Sequence, residues 1–251
     1  MAFDLPGVSI IMTPKDRRPQ LDCTLQTIFA QNYPDLEIII VEDRPTEASL
    51  EALCKRNKMK YAARRAKIEG WMNPAPLLNR GLLMATKEIV IFQNAECRHE
   101  STSCITDLVM PIVKAKIDQE PALSTSAYVQ SLNRDGSFEQ WFVHSNQGAR
   151  AGWISPFCQA LPRATAMKIQ GFEEEFCRGG YGYEDDLFEF MLRYSGVRLA
   201  CIDTLVSHMW HPRFEGDQRN GNEDIYKRIR REIEVGIRPP IANWNKPWGN
   251  I

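Results

Sequence analysis

Three short β-branched apolar runs and one weaker run, alternating with helical stretches, fill the first hundred residues and restrict what the chain can fold into. Val8-Ser9-Ile10-Ile11-Met12 ends at Thr13-Pro14 and reads as a buried first strand. Leu21, Leu25, Ile28 and Phe29 follow at helical spacing, and Tyr33-Pro34-Asp35 breaks that helix. Leu36-Glu37-Ile38-Ile39-Ile40-Val41 is a second strand ending at Glu42-Asp43. Leu50, Leu53 and Cys54 mark a helix, Lys60-Tyr61-Ala62-Ala63 a weak third strand, and Leu77, Leu78, Leu82 and Leu83 a helix begun after Asn73-Pro74. Ile89-Val90-Ile91-Phe92 is the fourth strand and ends at Gln93-Asn94-Ala95-Glu96. This alternation predicts an α/β fold with a mostly parallel central sheet flanked by helices. Such sheets bind ligands beyond the C-terminal ends of their strands, where Asp43 and Glu96 both fall.

The second half is less regular. Ile105, Leu108, Val109, Ile112 and Val113 mark a helix. Residues 122–142 alternate and turn at Asn133-Arg134-Asp135-Gly136, which predicts a hairpin. Leu187, Phe190, Met191 and Tyr194 form a helical stripe that Gly196 ends, and residues 197–202 read as a strand. Beyond Pro212 the character changes to a polar loop, a charged helix over 223–235 and an irregular tail with Trp244 and Trp248. The expected division is a domain over 1–212 with the helix and tail of 213–251 packed on it. The two tryptophans read as packing anchors.

A net charge of −1 excludes strong whole-surface attraction to nucleic acid or anionic membrane. No apolar run approaches the roughly 20 residues of a spanning helix. The first residues lack the basic and apolar regions of a signal peptide. The seven cysteines are scattered with no C-x-x-C pair, which reads as reduced, mostly buried thiols in a cytoplasm and argues against a cysteine zinc site.

Chemistry concentrates in two places. Gly179-Gly180-Tyr181-Gly182 leads into Glu184-Asp185-Asp186. Acids in a first helical turn commonly just complement the helix dipole. The glycines before them also let backbone approach a ligand, so that a carboxylate there can take a proton from an incoming hydroxyl. His208 and His211 are two of only four histidines. Their spacing brings both rings to one side where Pro212 bends the chain, and with Glu96 they form a mixed nitrogen and oxygen set suited to Mn²⁺ or a similar ion. Arg64, Arg65 and Lys67 read as a solvated basic face, with phosphate binding as the alternative. Lys227, Arg228, Arg230 and Arg231 share their helix with Glu232 and Glu234 and read as solvated.

Together these residues resemble the GT-A glycosyltransferases, family 2 in particular. The N-terminal resemblance is carried by Val8 to Pro14, by Thr24-Leu25-Gln26-Thr27-Ile28 with Gln31-Asn32-Tyr33-Pro34, and by Leu36 to Asp43. Asn79-Arg80-Gly81 resembles the family's turn into the helix before its metal motif. Gly171-Phe172 and Gly180-Tyr181-Gly182-Tyr183-Glu184-Asp185-Asp186 resemble signatures of β-1,4-galactosyltransferases, and His208 and His211 match the spacing of their Met-x-x-His metal pair. The family's D-x-D is here Asn94-Ala95-Glu96.

The resemblance implies an inverting transfer of a hexose from a nucleoside diphosphate sugar, a UDP-sugar, to an acceptor hydroxyl. Asp43 is then expected to accept a hydrogen bond from the base, with Thr13, Pro14 and Asn94 lining the donor pocket and Arg65 or Arg80 at the diphosphate. Mn²⁺ (or Mg²⁺) is expected on Glu96, His208 and His211. Asp185 is expected to be the base, Glu184 to orient the acceptor, and the glycine loop to close over the donor. The acceptor is left open among a glycan, a protein side chain and a hydroxymethylated DNA base, the last suiting a bacteriophage enzyme in its host's cytoplasm. Two rivals stand beside this reading. One is a nucleotidyltransferase, disfavoured because Thr13 to Arg18 has no glycine. The other is a non-catalytic sugar-nucleotide or glycan-binding module.

Overall fold

The computed structural model describes residues 5–43, 50–64, 73–143, 157–178, 182–212 and 221–250. The first half runs β1 (Val8–Met12), α1 (Arg18–Phe29), β2 (Leu36–Asp43), α2 (Glu51–Arg56), β3 (Lys60–Arg64), α3 (Ala75–Met84) and β4 (Ile89–Gln93). The second half runs β5 (Cys97–His99), α4 (Cys104–Ile117), β6 (Leu123–Leu132), β7 (Phe138–Val143), β8 (Cys158–Pro162), α5 (Arg163–Lys168), α6 (Glu184–Tyr194), β9 (Arg198–His208) and α7 (Asn222–Glu234). A short 3₁₀ turn occupies Glu174–Arg178.

The strands form one sheet in the order β3-β2-β1-β4-β8-β6-β9-β5, with β7 paired to β6. β1 lies between β2 and β4 and is parallel to both, Val8 standing opposite Leu36 on one side and Ile89 on the other. Past β4 the sheet is mixed. β8 is antiparallel to β4 and β6, and β9 is parallel to β6. The strand order reverses at β1, which opens a crevice at the C-terminal ends of β1 and β4.

Both faces of the parallel part are covered, which is why its strands are continuous apolar runs rather than alternating ones. Successive side chains still point to opposite faces. Ile10 and Met12 pack with Leu21, Leu25, Ile28, Leu108 and Ile112 of α1 and α4. Ile11 packs on the other face with Leu78 and Leu82 of α3, Leu187 and Phe188 of α6, and Ile229 and Ile233 of α7. Phe172 stacks on Phe188 at 4.2 Å between centroids, and Phe92 meets both rings edge-on.

Asn79 ties α3 to the segment before the 3₁₀ turn. Its amide donates to the Phe172 carbonyl and its oxygen accepts the Phe172 N–H, both at 2.8 Å. Gly171 makes this approach possible. It has φ 66°, and a Cβ there would fall 2.2 Å from Asn79 Oδ1.

The tail grips the same segment. Buried Glu173 accepts from Arg238 and from the Asn243 N–H, while Glu174 accepts from Asn79 and from the Gly249 N–H. Trp248 is partly buried against the core, and Trp244 is exposed. Breaking a buried ion pair leaves one charge unpaired in a dry site. Arg238→Ala is therefore expected to lower the unfolding free energy by about 3–5 kcal/mol, measured by urea denaturation. A loss too small to measure would contradict the clamp.

Candidate active site

The C-terminal ends of β1 to β4, β6 and β9 share one edge of the sheet, and most of the sequence candidates gather there. Thr13 and buried Pro14 follow β1, Asp43 ends β2, Asn94 and Glu96 follow β4, and His208 ends β9.

Strand register brings the metal-type ligands together. Cys97 of β5 stands opposite His208 of β9, and the Met209 N–H donates to the Glu96 carbonyl at 2.8 Å. Glu96 thus lies beside the end of β9 although it is far from it in sequence. Beyond His208 the chain is held by α1, since Gln20 donates to the Trp210 carbonyl at 3.0 Å. His211 is thereby turned back toward Glu96. Glu96 Oε1 lies 3.6 Å from His208 Nε2 and 3.4 Å from His211 Nε2, and the three ligand atoms all lie within 4.8 Å of one another.

These separations exceed an ordinary N–H···O hydrogen bond and suit groups arranged around a shared cation. His211 Nδ1 sits 3.0 Å from the Pro212 carbonyl, which can only accept, so Nδ1 carries a proton and Nε2 is the atom turned to Glu96. Phe142 and Phe157 pack edge-on against the His208 ring at 5.2 and 5.5 Å. Burial alone would push the Glu96 carboxyl up, but the two imidazoles outweigh it and hold Glu96 well below the usual carboxylate range. The donor set, one carboxylate and two imidazoles, fits Mn²⁺ or a similar divalent ion.

On the nucleotide side of the edge, Asp43 and Arg64 are opposite residues of β2 and β3, and both are buried. Arg64 Nε and Nη2 donate to Asp43 Oδ1 at 3.0 and 2.8 Å, and Lys15 Nζ lies 3.7 Å from Oδ2. The solvated basic face read from the sequence does not hold at Arg64. The parallel register places its guanidinium directly against a buried carboxylate, and among the described residues its Nη1 has no hydrogen-bond partner. Arg65 lies outside the described residues. Arg80 is exposed on α3 and is not bonded to Asp43 or Glu96.

The acidic triplet opens α6. Gly182 and Tyr183 both have positive φ, 89° and 69°, and turn the chain sharply into the helix. Two amides hold that turn, Asn222 of α7 donating to the Gly182 carbonyl at 2.9 Å and Asn73 at 3.4 Å. Asn73 also donates to Glu184 Oε2 at 2.7 Å, inside a buried site. Burial and the neighbouring Asp185 charge push the Glu184 carboxyl up to about 8. Asp185 is only half-buried, and its Oδ1 accepts the Asp186 N–H at 2.9 Å. A protonated Glu184 spares the first turn of α6 a second negative charge beside Asp185. Gly179, Gly180 and Tyr181 lie outside the described residues.

The sequence reading missed several supporting groups. Arg64 was hidden by its basic neighbours, Asn73 was visible only as a helix-start signal, and Asn222 and Gln20 carried no local signal. The cations of α7 are mostly neutralised, with Lys227 paired to Glu223, Arg228 to Glu175 and Glu232, and Arg230 to Glu234.

Residues 9–137, over half the chain, match the family model described as Glycosyl transferase family 2. The chain belongs to glycosyl transferase family 2. No curated protein matches its sequence. Among solved structures, the mannosyltransferase PcManGT from Pyrobaculum calidifontis, in complex with GDP-Man and Mn²⁺, is similar with a TM-score of 0.57 at 16% identity, over 92% of this chain and 62% of that one. S. aureus TarS 1–349 in complex with UDP-GlcNAc is similar with a TM-score of 0.58 at 18% identity, over 85% of this chain and 60% of that one. The chain thus spans about three-fifths of each relative's length, and the likeness establishes the GT-A fold. Among the described residues no helix is long and apolar enough to cross a membrane.

A carboxyl that binds its proton more tightly in the folded state stabilises the fold at low pH. That contribution is lost as pH rises from the ordinary glutamate pKa through about 8. Glu184→Gln keeps the shape and removes the titration. The Tm of Glu184→Gln relative to the unsubstituted protein is therefore expected to rise between about pH 4.5 and about pH 8 and to level off above. A difference that stays constant over that range would show that Glu184 is already ionised.

Proposed function

We propose that this family 2 enzyme moves a hexose from a UDP-sugar to an acceptor hydroxyl with inversion, using a divalent ion held by Glu96, His208 and His211 and Asp185 as the base. The observation that carries the reading is the convergence of Glu96, His208 and His211 beside the crevice between β1 and β4. Asp43 stands on the same sheet edge. The relatives of the same fold bind GDP-Man with Mn²⁺ in one case and UDP-GlcNAc in another, which supports a sugar-nucleotide donor.

Each residue then has a stated task. Thr13 and Pro14 line the donor pocket. Asp43 Oδ2 accepts from the base, while Arg64 fixes the carboxylate through Oδ1. Asn94 stands in the first position of the family's D-x-D and contributes to the donor side, leaving Glu96 as the charged ligand. A divalent ion bound by Glu96, His208 and His211 supplies neutralisation for the charge that develops on the leaving diphosphate. Asp185 removes the acceptor hydroxyl proton as that oxygen attacks the anomeric carbon from the face opposite the diphosphate. The bond from the anomeric carbon to the diphosphate breaks, the nucleoside diphosphate leaves with its electron pair, and the configuration inverts. Glu184, neutral and fixed by Asn73, keeps the first turn of α6 in place and orients the acceptor in the manner of the β-1,4-galactosyltransferase signature.

Nucleoside diphosphate release from a panel of sugar nucleotides, with and without Mn²⁺, tests the reading. Release from one donor is expected to require the ion. Asp185→Asn is expected to retain donor binding, read by calorimetry, and to lose transfer by about 10²–10⁴-fold, as for removal of a general base. Transfer near the unsubstituted rate in Asp185→Asn would reassign the base.

A further inference from the structure

Behind Glu96, on the core side of the same turn, a second donor cluster is closed off from solvent. His99 of β5, Cys104 at the start of α4 and Cys158 at the start of β8 come from three separate segments, and their ligand atoms lie within 4.8 Å of one another. His99 is 4% exposed and both cysteines are 0% exposed. The side-chain oxygen of Gln93, the last residue of β4, adds a fourth donor, 3.0 Å from His99 Nε2 and 3.9 Å from Cys158 Sγ. His99 Nε2 is itself 3.9 Å from Cys158 Sγ.

We propose that His99, Cys104 and Cys158, completed by the Gln93 side-chain oxygen, form a structural zinc site distinct from the Glu96 cluster. Ligands about 2.0–2.3 Å from a tetrahedral zinc ion lie roughly 3.3–3.8 Å from one another. Of the observed separations, the two sulfur contacts at 3.9 Å need a small contraction to reach these edges, and the His99–Gln93 contact at 3.0 Å a small opening. Two sulfurs and an imidazole are soft and borderline donors, the type that selects zinc over the harder ions suited to Glu96. The site has no open position, as structural zinc requires and catalytic zinc does not. On loading, the hydrogen bond between His99 Nε2 and the Gln93 oxygen gives way to the metal bond, and His99 Nδ1, which has no hydrogen-bond partner among the described residues, carries the ring proton.

Loading converts both thiols to thiolates and releases their two protons to solvent. The ion then pins Gln93 and His99, which bracket Glu96, to α4 and β8. Because the site is buried, zinc enters as the chain folds. The inference does not depend on a metal at the Glu96 cluster.

The test uses the full chain carrying Glu96→Ala, which disables the other cluster. Elemental analysis after dialysis against EDTA is expected to give about one zinc per chain, since a closed structural site does not exchange freely. Refolding this protein with Co²⁺ is expected to produce thiolate-to-cobalt charge-transfer absorption and tetrahedral ligand-field bands. Adding Cys158→Ser is expected to cut bound zinc at least about tenfold. The cobalt spectrum needs no cysteine variant, so a misfolded Cys158→Ser does not blunt the test. Absence of both zinc and the charge-transfer band would overturn the proposal. So would a Cys104–Cys158 disulfide found by mass spectrometry, or zinc retained undiminished in a folded Cys158→Ser.

Discussion

The antiparallel pairing of β5 with the end of β9 is the constraint on which the site depends. It is only three residues long, yet it sets Cys97 opposite His208 and lets the Met209 N–H bond the Glu96 carbonyl. A slip of one residue would turn His208 to the other face of the sheet and dissolve the cluster. The buried core beneath makes that slip costly, because Val206 and Cys97 are both fully buried members of it. The convergence of Glu96, His208 and His211 is therefore a consequence of packing.

Along this edge three carboxylates are held in three ways, each by its neighbours. Asp43 is fixed by a guanidinium across a strand pair. Glu96 is kept ionised by two imidazoles that outweigh its burial. Glu184 faces the Asn73 amide in a buried site beside Asp185 and is driven toward its neutral form. Similar side chains thus reach three different states, with the difference residing in what faces them. The tail joins in through Asn222 on the Gly182 carbonyl and Arg238 on Glu173, so residues beyond the family's match support the turn into α6.

Much of the fold was legible because its signals are local. The β-branched runs at β1, β2 and β4, the helix after Asn73-Pro74, the hairpin at Asn133 to Gly136 and the stop at Gly196 all follow from periodicity and turn chemistry. β5 and β8 were not legible. Cys97-Arg98-His99 is too short to show a period, and Cys158 to Pro162 ends in a proline, so both are strands only because neighbouring strands pair with them. The mixed half of the sheet was lost with them. Glu96, His208 and His211 stood out through ligand chemistry. Arg64 did not, since its burial depends on the β2–β3 register, and the meeting of Cys104 with Cys158 and His99 depends on strands that gave no signal.

The most direct measurement is electron paramagnetic resonance of Mn²⁺ titrated into the protein with UDP present, comparing the unsubstituted chain with His211→Ala. The account predicts one bound ion per chain, as a single three-ligand site requires, with affinity falling at least about tenfold in the variant. Equal Mn²⁺ binding by the two proteins would contradict the assignment of this cluster as the metal site.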